Sequence, residues 1–183
     1  MSFARRAIIW FVVIPFVHGV IPWGISTLTR RHGWHGAFPG EWNWFGLMPL
    51  AAATALLVWS LWWRQRSASA YRSECVLSPA RADERVTPPP SALLTEGPYR
   101  FTRNPVYLAC LGLWLGWTLF FGSSGVLIAW FVLCVVAKFG IVPKEEHDLE
   151  SQFGAAYLRY KNRVPRWLGE VNGPKEEDGA AVK

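Results

Sequence analysis

Residues 105–142 have the sequence PVYLACLGLWLGWTLFFGSSGVLIAWFVLCVVAKFGIV and are the clearest indication of how this chain folds. It consists of two apolar runs, 105–121 and 126–142, separated by the small residues Gly122-Ser123-Ser124-Gly125. Soluble domains distribute their apolar residues in periodic stripes, whereas runs approaching the length needed to cross about 30 Å of hydrocarbon are typical of membrane helices. The stretch therefore predicts two transmembrane helices joined as a tight hairpin.

Two further apolar runs precede this hairpin. Residues 7–25 and 44–63 each approach the roughly 20 residues that a spanning helix requires. Arg30-Arg31-His32 follows the first run where a signal peptide would have its cleavage site, so we expect this run to remain in the mature protein. The predicted fold is all-α: an integral membrane bundle of four transmembrane helices with a cytosolic amphipathic C-terminal helix.

The 19 Lys and Arg residues predict the orientation of this bundle. Sixteen of them lie before the first run, between the second and third runs, or after the fourth, whereas two lie in the first loop. Because cytosolic segments carry an excess of Lys and Arg, both termini and the connection 64–104 are expected in the cytosol. Contact of this basic face with anionic lipid explains the net charge of +6, so we expect a lipid bilayer as partner and no nucleic acid. The three cysteines form no CxxC pair, and no metal site is expected.

The cytosolic C-terminal part contains a second helical pattern. Four apolar residues, Leu149, Phe153, Tyr157 and Tyr160, are spaced four, four and three apart, which predicts one face of an amphipathic helix over about 144–160. We expect residues 1–168 to form a single domain and 169–183, rich in Gly, Glu and Lys, to be a disordered tail.

Two polar segments adjoin the cytosolic end of the hairpin. The first, residues 94–107 (LTEGPYRFTRNPVY), contains Asn104-Pro105, a favourable helix start because Asn caps free N–H groups and Pro is tolerated at the first helical position. The second is the acidic sequence Glu145-Glu146-His147-Asp148. Capping and headgroup anchoring explain the first segment as well as ligand binding does, and a solvated helix start is the commoner role of the second. Since both flank the hairpin, we expect them to lie close together, where they suit a zwitterionic ligand that carries a cation.

Taken in order and spacing, these motifs resemble a known family, the isoprenylcysteine carboxyl methyltransferases with the related bacterial and phospholipid membrane methyltransferases. The resemblance covers about 91–167 and implies S-adenosylmethionine-dependent methyl transfer to a lipophilic or small acceptor at the cytosolic face of the bacterial cytoplasmic membrane. The residues that carry it are Gly97-Pro98-Tyr99, Arg103-Asn104-Pro105-Val106-Tyr107, Glu145-Glu146, Leu149, Phe153-Gly154, Tyr157, Tyr160 and Val164-Pro165.

The resemblance also implies roles for individual residues. Arg103 and Glu146 are catalytic candidates, either positioning the acceptor or accepting its proton. Asn104 stands where the isoprenylcysteine enzymes have His, and Ile141 stands where they place a substrate-contacting Arg, which argues against an isoprenylcysteine substrate. The implied contacts with S-adenosylmethionine are Ser91, Ala92, Leu93, Leu94, Tyr99, Asn104, Pro105, Val106, Tyr107 and Glu145.

Ionisable residues within the apolar runs are further candidates. Lys138 is a candidate for orienting an acidic substrate, with snorkelling of its ammonium to the interface as the alternative. His18 and Trp23 lie in the first run, where packing is the simpler role than lining a substrate cavity. Two other classes of function stay open: a nicotinamide-dependent membrane reductase, for which the chain is short, and a non-catalytic membrane protein that retains the bundle.

Overall fold

A computed structural model describes residues 13–77 and 93–169 of the protein, with side chains assigned outside 68–77. Several predictions from the sequence lie outside the described residues: the start of the first run (7–12), Ser91 and Ala92, and the tail from residue 170. The chain divides into two compact units, Met1–Trp59 with Val106–Pro143 (unit 1) and Ser60–Pro105 with Lys144–Lys183 (unit 2). Each unit is described separately.

The described residues are mostly helical. Between the first and second helical regions lies a short antiparallel hairpin that the sequence did not predict, pairing β1 (Trp34–His35) with β2 (Phe38–Pro39). Short 3-10 helices span Glu41–Gly46 and Gly97–Arg100. The longer elements are a π-helical segment at Phe16–Val20, α1 (Ile21–Leu28), α2 (Leu47–Leu77), α3 (Pro105–Phe121), α4 (Ser124–Val136), a second π-helical segment at Ala137–Ile141, α5 (Val142–Phe153) and α6 (Ala155–Lys161).

Two helical stretches among the described residues, Glu41–Ser67 and Ser124–Phe153, are long and apolar enough to cross a membrane. Only 28% and 17% of their most apolar windows are buried, which distinguishes them from the core helices of a soluble protein, because such helices bury their apolar side chains. The other two predicted spans coincide with shorter apolar helices, Phe16–Leu28 and Pro105–Phe121. Two of the four predicted spans thus meet the length criterion.

The second and fourth helical regions extend beyond the predicted bounds. We expected the second helix to end near residue 63, but α2 continues to Leu77 because no Gly or Pro interrupts residues 64–77. The predicted amphipathic helix is not separate from the fourth: Ser124–Phe153 is one helical stretch, and the break comes at Gly154, whose φ of 52° favours glycine.

The π-helical segment Ala137–Ile141 has a local cause. Pro143 has no N–H to donate to the carbonyl of residue 139, and its ring would crowd that carbonyl in a regular α-helix. One turn widens instead, and the N–H of Val142 donates to the carbonyl of Ala137, five residues earlier. The helix therefore passes the proline without ending.

In unit 1, α3 and α4 form the predicted tight hairpin. Only Gly122 and Ser123 separate the two helices, and the Ser123 hydroxyl caps α4 by accepting from the N–H of Val126 at 3.2 Å. Farther along, Nε1 of Trp130 on α4 donates to the carbonyl of Leu111 on α3 at 3.0 Å. These contacts hold the two helices side by side.

His18 joins the first helical region to α3 in the same unit. Pro22 cannot donate to the carbonyl of His18, and this free carbonyl accepts from Nε1 of Trp117. Nδ1 of His18 accepts from Nε1 of Trp114 at 3.1 Å. His18 is therefore engaged in helix packing, the simpler of the two roles expected from the sequence.

In unit 2, the predicted amphipathic face is confirmed. Tyr157, Tyr160 and Val164 form a buried cluster at 1%, 4% and 8% exposure, against which Leu149 and Phe153 pack together with Leu93. The spacing of four, four and three thus corresponds to one buried face that continues across the break at Gly154.

Candidate functional site

The polar centre of unit 2 is the carboxylate of Glu146 on α5. Glu146 is 4% exposed; two side chains donate hydrogen bonds to it, and a third forms an ion pair with it. Arg166 binds both oxygens, with Nη2 at 2.6 Å from Oε2 and Nε at 3.2 Å from Oε1. Nδ2 of Asn104 lies 3.4 Å from Oε1, and Nη2 of Arg103 lies 3.5 Å from the same oxygen. The arrangement brings together the two polar segments that the sequence predicted to be close.

The chain around residue 166 fixes the backbone of residues 102–104. The N–H of Arg103 donates to the carbonyl of Pro165 at 2.9 Å. The carbonyl of Arg166 accepts from the Thr102 hydroxyl at 3.0 Å and from Nδ2 of Asn104 at 3.1 Å. The segment that leads into α3 is therefore hydrogen-bonded to the chain that follows α6. Arg166 contributes its backbone carbonyl to these contacts and its guanidinium to Glu146.

Several buried polar atoms near this carboxylate have no hydrogen-bond partner among the described residues. They are Nε and Nη1 of Arg103, Oε2 of Glu145 and the hydroxyl of Tyr157. The side chain of Arg103 is only 9% exposed. Because an unsatisfied buried polar atom costs about 1–3 kcal/mol, such a concentration in one small region calls for a specific explanation. Cationic donors, an anionic acceptor and a hydroxyl together fit the polar groups of a ligand.

Tyr99 lies in the 3-10 turn at Gly97–Arg100, which two contacts hold in place. Gly97 adopts a φ of 61° and faces the ring of Trp63 so closely that a side chain there would overlap the ring. The hydroxyl of Tyr160 donates to the carbonyl of Tyr99 at 2.7 Å. Tyr99 itself is buried, and the Arg64 guanidinium hydrogen-bonds its phenol.

The tyrosines of the site are held in their protonated form. Burial raises the pKa of Tyr157 to about 12, and the nearby charge of Glu146 adds to this effect. Burial also raises the pKa of Tyr99; the Arg64 guanidinium partly offsets the rise, and the negative charge of Glu145 adds to it. At neutral pH both phenols are therefore hydrogen-bond donors. Hydrogen bonds to Glu146 raise the pKa of Arg166, which keeps that guanidinium charged.

The structure unites some of the predicted site residues and leaves others apart. Arg103, Asn104 and Glu146 are in contact, and Glu145 acts electrostatically on Tyr99. The predicted roles of Leu94 and Pro105, which also lie in unit 2, stay predictions, while Leu93 packs on the tyrosine cluster. Three predicted residues fall in unit 1: Val106, Tyr107 and Lys138. Lys138 is exposed, and its Nζ lies 5.1 Å from the Phe139 ring centroid. Two others, Ser91 and Ala92, lie outside the described residues.

Sequence reasoning missed four members of the site: Arg64, Thr102, Tyr157 and Arg166. The sequence patterns assign no site role to Arg64 or Arg166, and they place Tyr157 on an apolar face without giving its hydroxyl a role. One available signal was the pairing requirement itself, because a carboxylate as buried as Glu146 needs cationic partners. No spacing rule would have selected Arg166, twenty residues farther along the chain.

Comparison with known proteins agrees with the motifs. A protein of Haemophilus influenzae described as uncharacterized is 48% identical over 67 residues, which is all of that protein and 34% of this chain. No solved structure matches the chain. The profile of a family described as phospholipid methyltransferase matches residues 43–156, more than half of the chain, and includes residues 97–107 and 145–146. Together with the two helices long enough to span a bilayer, this match indicates a membrane protein and a methyltransferase. The chain belongs to the phospholipid methyltransferase family.

Proposed function

We propose that this protein uses S-adenosylmethionine to methylate a lipophilic or small acceptor at the cytosolic face of a bacterial membrane. The observation that carries the proposal is the set of buried atoms without partners: two guanidinium nitrogens of Arg103 and one carboxylate oxygen of Glu145. They lie on the two segments that resemble the cofactor-binding segments of membrane methyltransferases. Four spanning helices, with both termini and the site in the cytosol, are part of the same proposal.

The free atoms fit the amino-acid end of S-adenosylmethionine, which carries a carboxylate, an ammonium and a sulfonium. Nε and Nη1 of Arg103 would hold the carboxylate, because guanidinium–carboxylate hydrogen bonds are among the strongest in proteins. Oε2 of Glu145 would hold the cationic part. Tyr99 and Asn104, which border these groups, complete the cofactor contacts that we propose.

The chain's own contribution to the reaction is positioning and exclusion of water. When bound, S-adenosylmethionine would supply its sulfonium methyl group to an electron-rich acceptor atom, and the electron pair of the broken carbon–sulfur bond would stay on the sulfur of the neutral leaving group. Arg103 and Glu145 orient their ligand from within a buried environment, where electrostatic interactions are stronger than in water. Both oxygens of Glu146 already accept from protein donors, chiefly from Arg166, so we assign this residue a structural role rather than the acceptance of a proton.

On the acceptor side of the site we propose roles for Tyr157 and Lys138. The protonated hydroxyl of Tyr157 is a buried donor without a partner, available to a polar group of either ligand. Lys138 stays a proposal for orienting an acidic acceptor at the bilayer surface. An acceptor that partitions into the bilayer would reach the site from the membrane, whereas the cofactor would enter from the cytosol.

Calorimetric titration of S-adenosylmethionine into the purified protein in detergent tests the proposal, with a reduced nicotinamide cofactor as the competing ligand. We expect saturable binding of the methyl donor alone. Glu145→Gln and Arg103→Gln should each weaken it by about 10- to 100-fold, because each removes a charge-assisted hydrogen bond.

Glu150→Gln provides the matched control on the same helix. Glu150 pairs with Lys161 at 3.1 Å, but the two side chains are 39% and 36% exposed, so this variant should bind like the wild type. Nicotinamide binding, or no binding of either cofactor, would refute the methyltransferase proposal. Wild-type affinity in Glu145→Gln would refute the role of that carboxylate.

A further inference from the structure

Glu146 is shared unequally between two arginines. Arg166 contacts both of its oxygens, at 2.6 Å from Oε2 and 3.1–3.2 Å through Nε, whereas Arg103 makes a single contact at 3.5 Å. Only Nη2 of Arg103 is used in this contact, and its Nε and Nη1 stay without partners. The more exposed arginine therefore holds the carboxylate, and the buried one keeps free donors.

This distribution is not the one that charge pairing alone would produce. The Arg103 side chain is 9% exposed and that of Arg166 is 38% exposed, so water can hydrate Arg166 far better than Arg103. A buried guanidinium has the greater need of a carboxylate partner, and a two-point contact is its most favourable geometry. In the structure Arg166 binds both Glu146 oxygens, and Arg103 makes only its single contact.

The backbone around Arg166 makes its position rigid. Its carbonyl accepts from Thr102 and Asn104, and the preceding carbonyl of Pro165 accepts from the N–H of Arg103. Arg166 thus belongs to a chain segment that is hydrogen-bonded to the loop that carries Arg103. The loop and the residue that restrains Glu146 form one hydrogen-bonded assembly.

We propose that Arg166 is a positioning residue that occupies Glu146 and so keeps the guanidinium of Arg103 available to the anionic group of the bound ligand. The inference rests on the proposed function for the identity of that ligand as S-adenosylmethionine. Two guanidiniums against one carboxylate leave one positive charge, and this charge resides on the buried arginine. Without Arg166, Glu146 would turn to Arg103 and compete with the ligand for it.

The test is a pair of variants measured by calorimetric titration of S-adenosylmethionine. Arg166→Gln should weaken binding by about 10- to 100-fold, because the freed carboxylate captures Arg103. Adding Glu146→Gln to Arg166→Gln removes the competing carboxylate, so the double variant should bind S-adenosylmethionine at least tenfold more tightly than Arg166→Gln alone. A purely structural role for Arg166 predicts that the double variant binds no better than the single one, and that result would overturn the inference.

Arg166→Lys provides a second, milder variant in case the double variant does not fold. Lysine keeps the charge but offers one ammonium in place of a planar two-point contact, which leaves one Glu146 oxygen to Arg103. We expect binding weaker than wild type and stronger than Arg166→Gln. Wild-type affinity in Arg166→Lys would show that charge alone suffices and would contradict the positioning role.

A measurement without ligand separates this inference from the proposed function. Arg103→Gln should lower the melting temperature more in the Arg166→Gln background than in the wild type, because Glu146 then depends on Arg103 alone. Equal decreases in both backgrounds would refute the competition. If the wild type fails to bind S-adenosylmethionine while the decreases differ, the proposed function falls and the competition between the arginines stands.

Discussion

Two neighbouring tyrosines should respond in opposite directions to the same substitution. Tyr157 and Tyr160 belong to one buried cluster, are 1% and 4% exposed, and have ring centroids 6.1 Å apart. The hydroxyl of Tyr160 donates to the carbonyl of Tyr99 at 2.7 Å, whereas the hydroxyl of Tyr157 is buried without a partner. Replacement by Phe removes only the oxygen in each case. The structure therefore predicts that Tyr157→Phe stabilises the protein and Tyr160→Phe destabilises it.

The magnitudes follow from the cost of unsatisfied polar groups. Burying a hydroxyl without a hydrogen bond costs about 1–3 kcal/mol, so Tyr157→Phe should raise the stability by an amount in the lower part of that range. Tyr160→Phe loses a hydrogen bond and leaves the carbonyl of Tyr99 without this donor, which should cost about 1–2 kcal/mol. For a chain of this size each kcal/mol corresponds to roughly 2–4 °C in melting temperature.

Thermal melting in one detergent, with and without S-adenosylmethionine, measures both effects. Under the proposed function the free hydroxyl of Tyr157 serves a ligand, so Tyr157→Phe should gain less from added ligand than the wild type does. A lower melting temperature for ligand-free Tyr157→Phe would refute the reasoning, because it would mean that the hydroxyl has a stabilising partner. Equal shifts for both variants would refute the distinction between the two hydroxyls.

Three further predictions concern pH and helix packing. Since burial raises the pKa of Tyr157 from 10.0 to about 12, the unfolded state loses a proton between these pH values that the native state keeps. The free energy of unfolding should therefore fall across this range by at most about 3 kcal/mol, and by less in Tyr157→Phe, as melting against pH would show. His18→Leu removes the acceptor of the Trp114 indole and should cost about 1–3 kcal/mol, with partial recovery on adding Trp114→Phe; no recovery would contradict this pairing. Gly116→Ala places a methyl group against α2 and should lower the melting temperature, whereas Gly19→Ala, with open space at that position, should not.

The helical hairpin and the amphipathic face were predictable because both depend on short-range patterns. The apolar runs 105–121 and 126–142 and the spacing of Leu149, Phe153, Tyr157 and Tyr160 determine which residues avoid water, and the structure confirms both. Trp62-Trp63-Arg64, where aromatic rings precede a cation at the end of the apolar run 44–63, is an interfacial signal, but it did not predict the end of the second helix. That signal indicates where a helix leaves the hydrocarbon, but the residues that follow can continue the helix in water, and here they do, to Leu77.

The contact between residues 103–104 and 145–146 was predictable for a topological reason. The two segments are joined by a helical hairpin, which brings its two ends close together, and Arg103 indeed contacts Glu146. Arg166 was not predictable in this way, because it follows α6 and no short loop constrains its position. Its pairing with Glu146 depends on how the tyrosine cluster packs. The spacing pattern predicts that these tyrosines share one helix face, but it does not predict what that face packs against.

Glu145 and Glu146 show most clearly what the fold adds to the sequence. Adjacent residues on a helix point about 100° apart, so two identical side chains enter different environments, although nothing in the sequence says which enters which. In the structure Glu146 meets two arginines and an asparagine, while Glu145 keeps a buried oxygen without a partner. A carboxylate whose oxygens are already occupied by the protein has little to offer a ligand, whereas a buried free oxygen is stable only when something else occupies it. Under the proposed function the ligand contact therefore falls to Glu145, the same residue that the resemblance to membrane methyltransferases indicates by position.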